Sequence, residues 1–126
     1  MSFSDYLENK VLAYVFSGTA FTQPGTKYLA LYTSAPSDAG GGTEVSGNGY
    51  ARQSIAFTTT NNQSSNTSAV EFPTATASWG TVTHIGVFDA STSGNLLAWS
   101  ALTASKTIAS GDVFRVNAGE LDIDLT

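Results

Sequence analysis

The chain has 126 residues, of which only 12% are charged, and its formal net charge is −5. This length suits one ordinary domain, and five Lys and Arg residues against ten Asp and Glu leave no basic surface for nucleic-acid phosphates or an anionic membrane. The absence of Cys excludes disulfide scaffolds and thiolate metal sites. We therefore expect neither nucleic acid nor membrane among the partners.

The first twenty residues predict an amphipathic helix over residues 3–17. Ser2 followed by Asp5 matches the capping pattern at a helix start. Gly18 is a natural stop, because glycine adopts the left-handed conformation at no steric cost. A helix of about fifteen residues is marginal in water, so its apolar stripe must pack on its own chain or on a neighbour. The candidate interface residues in this segment are Phe3, Leu7, Val11 and Tyr14.

From Lys27 onward the apolar residues alternate with a period of two, as in strands. The runs that predict strands are residues 28–33, 50–57, 69–72, 81–88, 96–102, 113–117 and 121–125. Gly111 followed by Asp112 indicates a tight hairpin with the glycine at its first central position. About seven or eight short strands after one helix predict a mainly β fold, an antiparallel β-sandwich or jelly roll preceded by one N-terminal α-helix. We accordingly divide the chain into an N-terminal helix and arm, residues 1–20, and a β-sandwich domain, residues 21–126.

Two segments are predicted to be long surface loops. Residues 35–49 contain Pro36 and three consecutive glycines, Gly40, Gly41 and Gly42. Residues 58–67 consist of Thr, Asn, Gln and Ser, which predicts an exposed loop or a frayed strand extension. Loops of this length within a compact domain are typical of functional or disordered segments.

The polar residues do not form a recognisable catalytic or metal-binding motif. His84 is the only histidine and lies in a predicted strand, without the Gly-x-Ser-x-Gly turn of a serine hydrolase. Asp122 and Asp124 are interpreted as a solvated strand face with the neighbouring aliphatic residues inward; the alternative is a glycosidase pair. Residues 89–94 begin like a calcium loop, but its twelfth position is Ser100 and not an acid, so we predict a hairpin loop. We predict no enzyme, no metal and no cofactor.

The scarcity of charge points to assembly. Lysines commonly protect the edges of monomeric sheets, and this chain has only three. Arg52 and Arg115 are the only arginines, and because Arg is favoured at buried ion pairs we expect each to meet a carboxylate such as Glu71 or Glu120. The edges and faces of the sheets are therefore expected to be covered by other subunits.

Several segments resemble one known family. They include residues 28–36, the run Asp-Ala-Gly-Gly-Gly-Thr-Glu-Val-Ser over 38–46, Gly-Tyr-Ala-Arg-Gln over 49–53, and residues 71–77, 79–89, 95–99 and 111–119. These segments are similar to small virion structural proteins of tailed bacteriophages. The resemblance implies a place in the virion, either as a capsid cement (decoration) protein or as a tail-associated protein, and brings no catalytic residues.

Of these two roles we favour the cement protein, which clamps neighbouring capsomers on the outer shell. The N-terminal helix and the loop 35–49 could act as clamps, whereas the long shaft of a receptor-binding tail tip is missing. The expected partners are the major capsid protein and further copies of the chain, as a trimer. The alternative is a tail or tail-fibre protein that contacts the host surface through loops 58–67 and 89–95. The remaining candidate interface residues are Gly40, Gly41, Gly42, Glu44, Arg52 and Arg115.

Overall fold

The computed structural model describes residues 1–125, which form one helix and eleven strands. The helix is α1 (Asp5–Ser17). The strands are β1 (Ser2–Phe3), β2 (Lys27–Ser34), β3 (Thr43–Glu44), β4 (Gln53–Ile55), β5 (Phe57–Thr60), β6 (Gln63–Asn66), β7 (Val70–Glu71), β8 (Gly80–Phe88), β9 (Leu96–Ile108), β10 (Arg115–Val116) and β11 (Asp122–Asp124).

The strands form three antiparallel sheets. The largest has the order β1-β9-β8-β2-β3, with β4 also paired to β2. The second consists of β10 and β7, and the third has the order β11-β6-β5. The predicted class, mainly β and antiparallel with one helix near the N-terminus, is confirmed.

The main core lies between the large sheet and the two small ones. Leu31 pairs with Ile85 and Leu29 with Val87, so these four side chains share the inner face of the large sheet. Burying each of them stabilises the fold by about 1.5–3 kcal/mol. The residues that meet them from outside the large sheet include Val70, Phe72, Ala75, Trp79, Phe114, Val116 and Leu121.

The helix begins two residues later than predicted, and its N-cap is Ser4 and not Ser2. Phe3 pairs with Ala98, and the Ser4 amide donates to the Leu97 carbonyl, so strand pairing holds the backbone extended up to the cap. The Ser4 hydroxyl oxygen accepts from the amide of Leu7 at 3.2 Å and also donates to the Leu96 carbonyl. The predicted stop is confirmed, because Gly18 adopts the left-handed conformation with φ of 67°.

Of the two alternatives predicted for residues 58–67, a loop or a frayed strand extension, the strand is the closer one, since β5 and β6 form a hairpin there. Asn61 takes a positive φ of 56° at the turn, a conformation that Asn tolerates better than most residues. Thr58 pairs with Ser65 and Thr59 with Ser64. β-branched Thr favours strands, and β11 completes this polar sheet.

The prediction of a tight hairpin at Gly111 was wrong. Gly111, with φ of 88°, occupies the second central position of a turn closed by the bond from the Asp112 amide to the Ala109 carbonyl. The strands on either side of this turn pair elsewhere, β9 with β8 and β10 with β7. The other predicted loop, residues 35–49, is irregular except for the two residues of β3.

A second, smaller cluster covers the outer face of the large sheet. It consists of Ala30, Tyr32, Phe88 and Leu96, with Trp99 packed at its margin. The rings of Tyr32 and Phe88 stack with centroids 6.5 Å apart. This cluster gives the loops on the outer face an apolar base.

Candidate interaction site

Arg52 and Glu44 form a largely buried, two-pronged ion pair. The Arg52 Nε donates to Glu44 Oε2 at 2.9 Å, and Nη2 donates to Oε1 at 2.8 Å. The side chains are 8% and 26% exposed, respectively. The guanidinium carbon lies 3.7 Å from the centroid of the Phe88 ring, in cation–π contact. The expectation that Arg52 meets a carboxylate is confirmed, although its partner is Glu44.

This ion pair joins three segments that are distant in sequence. The Arg52 Nη1 donates to the carbonyls of Ala90 and Ser93, at 3.0 and 2.8 Å, and so holds the loop that follows β8. The Tyr50 hydroxyl donates to Glu44 Oε2 at 2.7 Å and accepts from the amide of Leu31 in β2. One charged pair therefore fixes the loop between β8 and β9 against the Gly-rich loop and the large sheet.

The pKa values of Tyr32, Tyr50 and Arg52 are all raised in this cluster. Burial and the nearby Glu44 carboxylate raise the pKa of Tyr32 to about 12. Burial and the hydrogen bond to Glu44 raise the pKa of Tyr50 well above its usual value. Burial opposes the charge on Arg52, but the hydrogen bonds and charge of Glu44 outweigh it and raise the pKa of the guanidinium. The arrangement is a fixed structural ion pair with neutral tyrosines.

Arg115 lies apart from this cluster and is solvated. Its Nη1 is 4.0 Å from Glu71 Oε1, and the two side chains are 53% and 60% exposed. Its Nε donates to Asn117 Oδ1 at 3.1 Å. The predicted carboxylate neighbour is present, but an exposed pair at this distance contributes little to stability.

The three consecutive glycines lie beside the N-terminal end of helix α1. The Asp38 carbonyl accepts from the Asp5 amide at the start of α1, and Asp38 Oδ1 accepts from Trp99 Nε1 at 2.7 Å. All three glycines have positive φ. A Cβ on Gly42 would lie 2.7 Å from the Pro36 nitrogen, whereas one on Gly41 would have no heavy atom within 4 Å.

Helix α1 packs through its first half only. Tyr6 and Leu7 contact the main core, and Val11 is half-buried, whereas Tyr14 is 58% exposed. A second apolar stripe is exposed near the end of the helix. Its members are spaced i, i+3 and i+4 and are 56%, 60% and 80% exposed: Leu12, Val15 and Phe16. We call these three residues the outer stripe.

The side chains considered for catalysis are engaged in structural contacts. The His84 Nδ1 is 2.8 Å from Thr83 Oγ1. Asp122 accepts from Ser65, and Asp124 Oδ1 accepts from Gln63 at 2.8 Å, across the β11–β6 pair. Within residues 1–125, no group of three His, Asp or Glu side chains could hold a metal ion.

One neighbour of the two aspartates departs from the expected inward orientation. Leu121 is buried, but Leu125 is 55% exposed. The end of the chain is held by backbone contacts instead, because the Leu125 amide donates to the Asn62 carbonyl at 2.9 Å.

The candidate interface residues fall into separate groups. Glu44 and Arg52 are in direct contact. The loop with Gly40, Gly41 and Gly42 lies at the N-terminal end of α1. The other candidates in that segment are Phe3, Leu7, Val11 and Tyr14. Arg115 lies on the small two-stranded sheet with Glu71. The exposed apolar side chains near the end of α1, Leu12, Val15 and Phe16, lie outside these groups.

Comparison with known families gives the class of protein. Residues 2–124 match the family model described as "Podophage GP4 fiber I protein gp80". The chain therefore belongs to this family of small structural proteins of tailed-phage virions. A search of the curated proteins gave no significant match. In the part of the chain that the structure describes, no helix is both long and apolar enough to span a membrane.

Proposed function

We propose that this chain is a non-catalytic subunit of the tail-fibre apparatus, made in the host cytoplasm and assembled into the virion as a homotrimer. The observation that carries the proposal is the outer stripe on α1. Its three apolar side chains are 56–80% exposed in a chain whose other large apolar residues are mostly buried. Exposed apolar surface of this kind is typical of sites that are covered in an assembly.

The energetics favour contact between copies. Covering each of the three side chains of the outer stripe is worth about 1–2 kcal/mol, because each is already partly in contact with its own chain. The outer stripe contains no charged residue, so the same stripe on a second copy is chemically complementary to it. Asp5 and Glu8 lie near the opposite end of the helix, where their carboxylates can stay hydrated.

The family description supports the fibre over the capsid shell. The family is named for a fiber protein, which favours the tail-fibre alternative that the sequence left open. A cement protein on the shell, with the major capsid protein as its partner, is the rival proposal. The two differ in location and in copy number.

The location can be tested on intact particles. We would label the protein in purified virions with gold-conjugated antibody, image them, and quantify the copies per particle by mass spectrometry. Label confined to the tail, with tens of copies or fewer, is the expected result. Label over the whole shell, with hundreds of copies, would replace the fibre proposal with the cement proposal.

The contact itself can be tested with helix variants. The double substitution Leu12→Ser and Phe16→Ser should convert the assembled protein into a monomer without unfolding it, since both side chains are largely solvent-exposed in the single chain. Asn9→Ser, on the same exposed side of the helix, is the matched control and should leave the mass unchanged. Mass would be measured by light scattering after gel filtration; an unchanged mass for the double variant would contradict the proposed contact.

A further inference from the structure

A cleft of about 580 Å³ lies between the start of α1, the Gly-rich loop and the beginning of β9. Residues 4–6, 38–41 and 94–96 line its walls. Its base contains Tyr32 and Phe88, from the smaller apolar cluster on the outer face of the large sheet. An apolar base with a few polar groups around it is typical of small-molecule sites, whose volumes are about 300–1,000 Å³.

The base of the cleft contains a polar group that the fold leaves unused. Tyr32 is only 4% exposed, and its hydroxyl has no hydrogen-bond partner within residues 1–125. No completely buried polar side-chain atom in these residues lacks a partner, so this hydroxyl belongs to the small accessible part of the side chain. Tyr32 lines the cleft, and a buried hydroxyl is normally hydrogen-bonded. The hydroxyl is therefore available to a ligand in the cleft.

The position of Tyr32 depends on a glycine in the neighbouring strand β8. A Cβ at Gly86 would lie 3.1 Å from Tyr32 Cε1 and 2.9 Å from Leu96 Cδ1. Because Gly86 has no side chain, both residues can pack directly against the sheet. The base of the cleft is thus formed before a ligand arrives, which lowers the entropy cost of binding.

Two polar side chains on the walls are held by bonds that leave one oxygen of each free. Asp38 Oδ1 accepts from Trp99 Nε1 at 2.7 Å, which leaves Oδ2 as an acceptor. Asn95 donates to the Asp89 carboxylate through its backbone amide at 2.7 Å and its side-chain amide at 2.9 Å, which leaves its Oδ1 as an acceptor. Asp5 adds a second carboxylate to the walls. The cleft therefore offers acceptors on its walls and a hydroxyl at its base.

The charges around the cleft disfavour anions and cations alike. Asp5 and Asp38 line it and no Lys or Arg does, so an anion would be repelled. A cation would meet the positive N-terminal end of α1 at one wall and the Arg52 guanidinium, 3.7 Å from the centre of the Phe88 ring, at the base. The lining suits a neutral ligand whose hydroxyls donate to the wall acceptors and accept from Tyr32.

We propose that this cleft binds a neutral hexose unit of a carbohydrate. A pyranose ring carries hydroxyls on its edge and apolar C–H groups on its faces, so the edge would meet the walls while one face covers the accessible part of the aromatic base. The expected polar contacts are the Tyr32 hydroxyl and the free oxygens of Asp38 and Asn95. This site is separate from the outer stripe on α1 and is present at either location in the virion.

Nuclear magnetic resonance on the isotope-labelled chain tests the site. D-glucose, D-galactose, D-mannose and N-acetyl-D-glucosamine would be titrated separately, and at least one should shift the amide signals of residues 4–6, 38–41 and 94–96 to saturation. No shift with any of the four, or shifts confined to other residues, would overturn the inference. Shifts of these amides by methylammonium chloride but by no sugar would also overturn it. The fibre proposal would survive such a result, because it depends on the gold label and the copy number.

Variants of the cleft test its residues. Tyr32→Phe removes only the unpaired hydroxyl, so it should weaken sugar binding about threefold to tenfold and leave the urea midpoint at neutral pH unchanged. Tyr28→Phe, on the same strand but outside the cleft, is the matched control. Ala39→Phe on the wall should block binding, whereas Ala35→Phe at an exposed position outside the cleft should not. Wild-type affinity in either Tyr32→Phe or Ala39→Phe would overturn the assignment.

Discussion

Removal of the Arg52 side chain should destabilise the fold far more than removal of the only other arginine. Arg52→Ala leaves the Glu44 carboxylate without its two-pronged partner and leaves two loop carbonyls without a donor. Loss of one member of a buried pair costs about 3–5 kcal/mol. Since Glu44 remains 26% exposed and water can partly replace the lost bonds, we expect a loss of about 2–4 kcal/mol.

Urea unfolding of the purified variants measures this difference in the free energy of unfolding. Arg115→Ala is the matched control, because its side chain is 53% exposed and 4.0 Å from its carboxylate, and it should cost less than about 1 kcal/mol. Arg52→Lys keeps the charge but not the planar fork and should fall between the two. Hydrogen exchange should also become faster in residues 89–95 of Arg52→Ala. If the two alanine variants were equally stable, the assignment of Arg52 as the link between loops would be refuted.

Three further changes test other parts of the fold. Gly42→Ala should cost about 1–3 kcal/mol more than Gly41→Ala in urea unfolding, because both have positive φ but only Gly42 lies against backbone; equal costs would contradict this. Ser4→Ala should destabilise the chain by about 1–2 kcal/mol and lower its helix signal in circular dichroism, because it removes the cap and a buried hydrogen bond; unchanged values would argue against the cap. Above pH 10 a tyrosine in the unfolded chain loses its proton, whereas Tyr32 and Tyr50 keep theirs in the folded chain. The free energy of unfolding should therefore fall by up to about 1.4 kcal/mol per pH unit for each of these two residues. For Tyr32 this loss ends near pH 12. The urea midpoints of Tyr32→Phe and Tyr50→Phe should fall less steeply with pH than the midpoint of the wild-type chain. A wild-type midpoint that stays constant from pH 9 to 11 would refute the argument.

The local signals in the sequence predicted the helix and most strands, because periodicity and glycine stops act over short distances. The helix start was misplaced because Ser2 and Ser4 both fit a cap, and only pairing with β9 selects Ser4. The β5–β6 hairpin was not identified because residues 58–66 carry no apolar alternation, so the sequence left a loop and a frayed strand extension as alternatives.

The sequence predicted only part of the candidate site. A carboxylate partner for Arg52 could be anticipated from the scarcity of charge, but its identity depends on how the Gly-rich loop places Glu44. Leu12 and Phe16 of the outer stripe were missed because the helix has two apolar sides. Leu7 and Val11 gave the stronger pattern, and that pattern marks the side of the helix that packs on its own chain.

The way α1 is attached has a mechanical consequence. The chain enters the helix from β1, which is bonded to β9, and leaves it through residues 19–26 into β2. Both attachments end in the same six-stranded sheet. A drag force on the helix tip would therefore pass first into that sheet, along both β1 and β2, and would pull on the strand pairs that hold them.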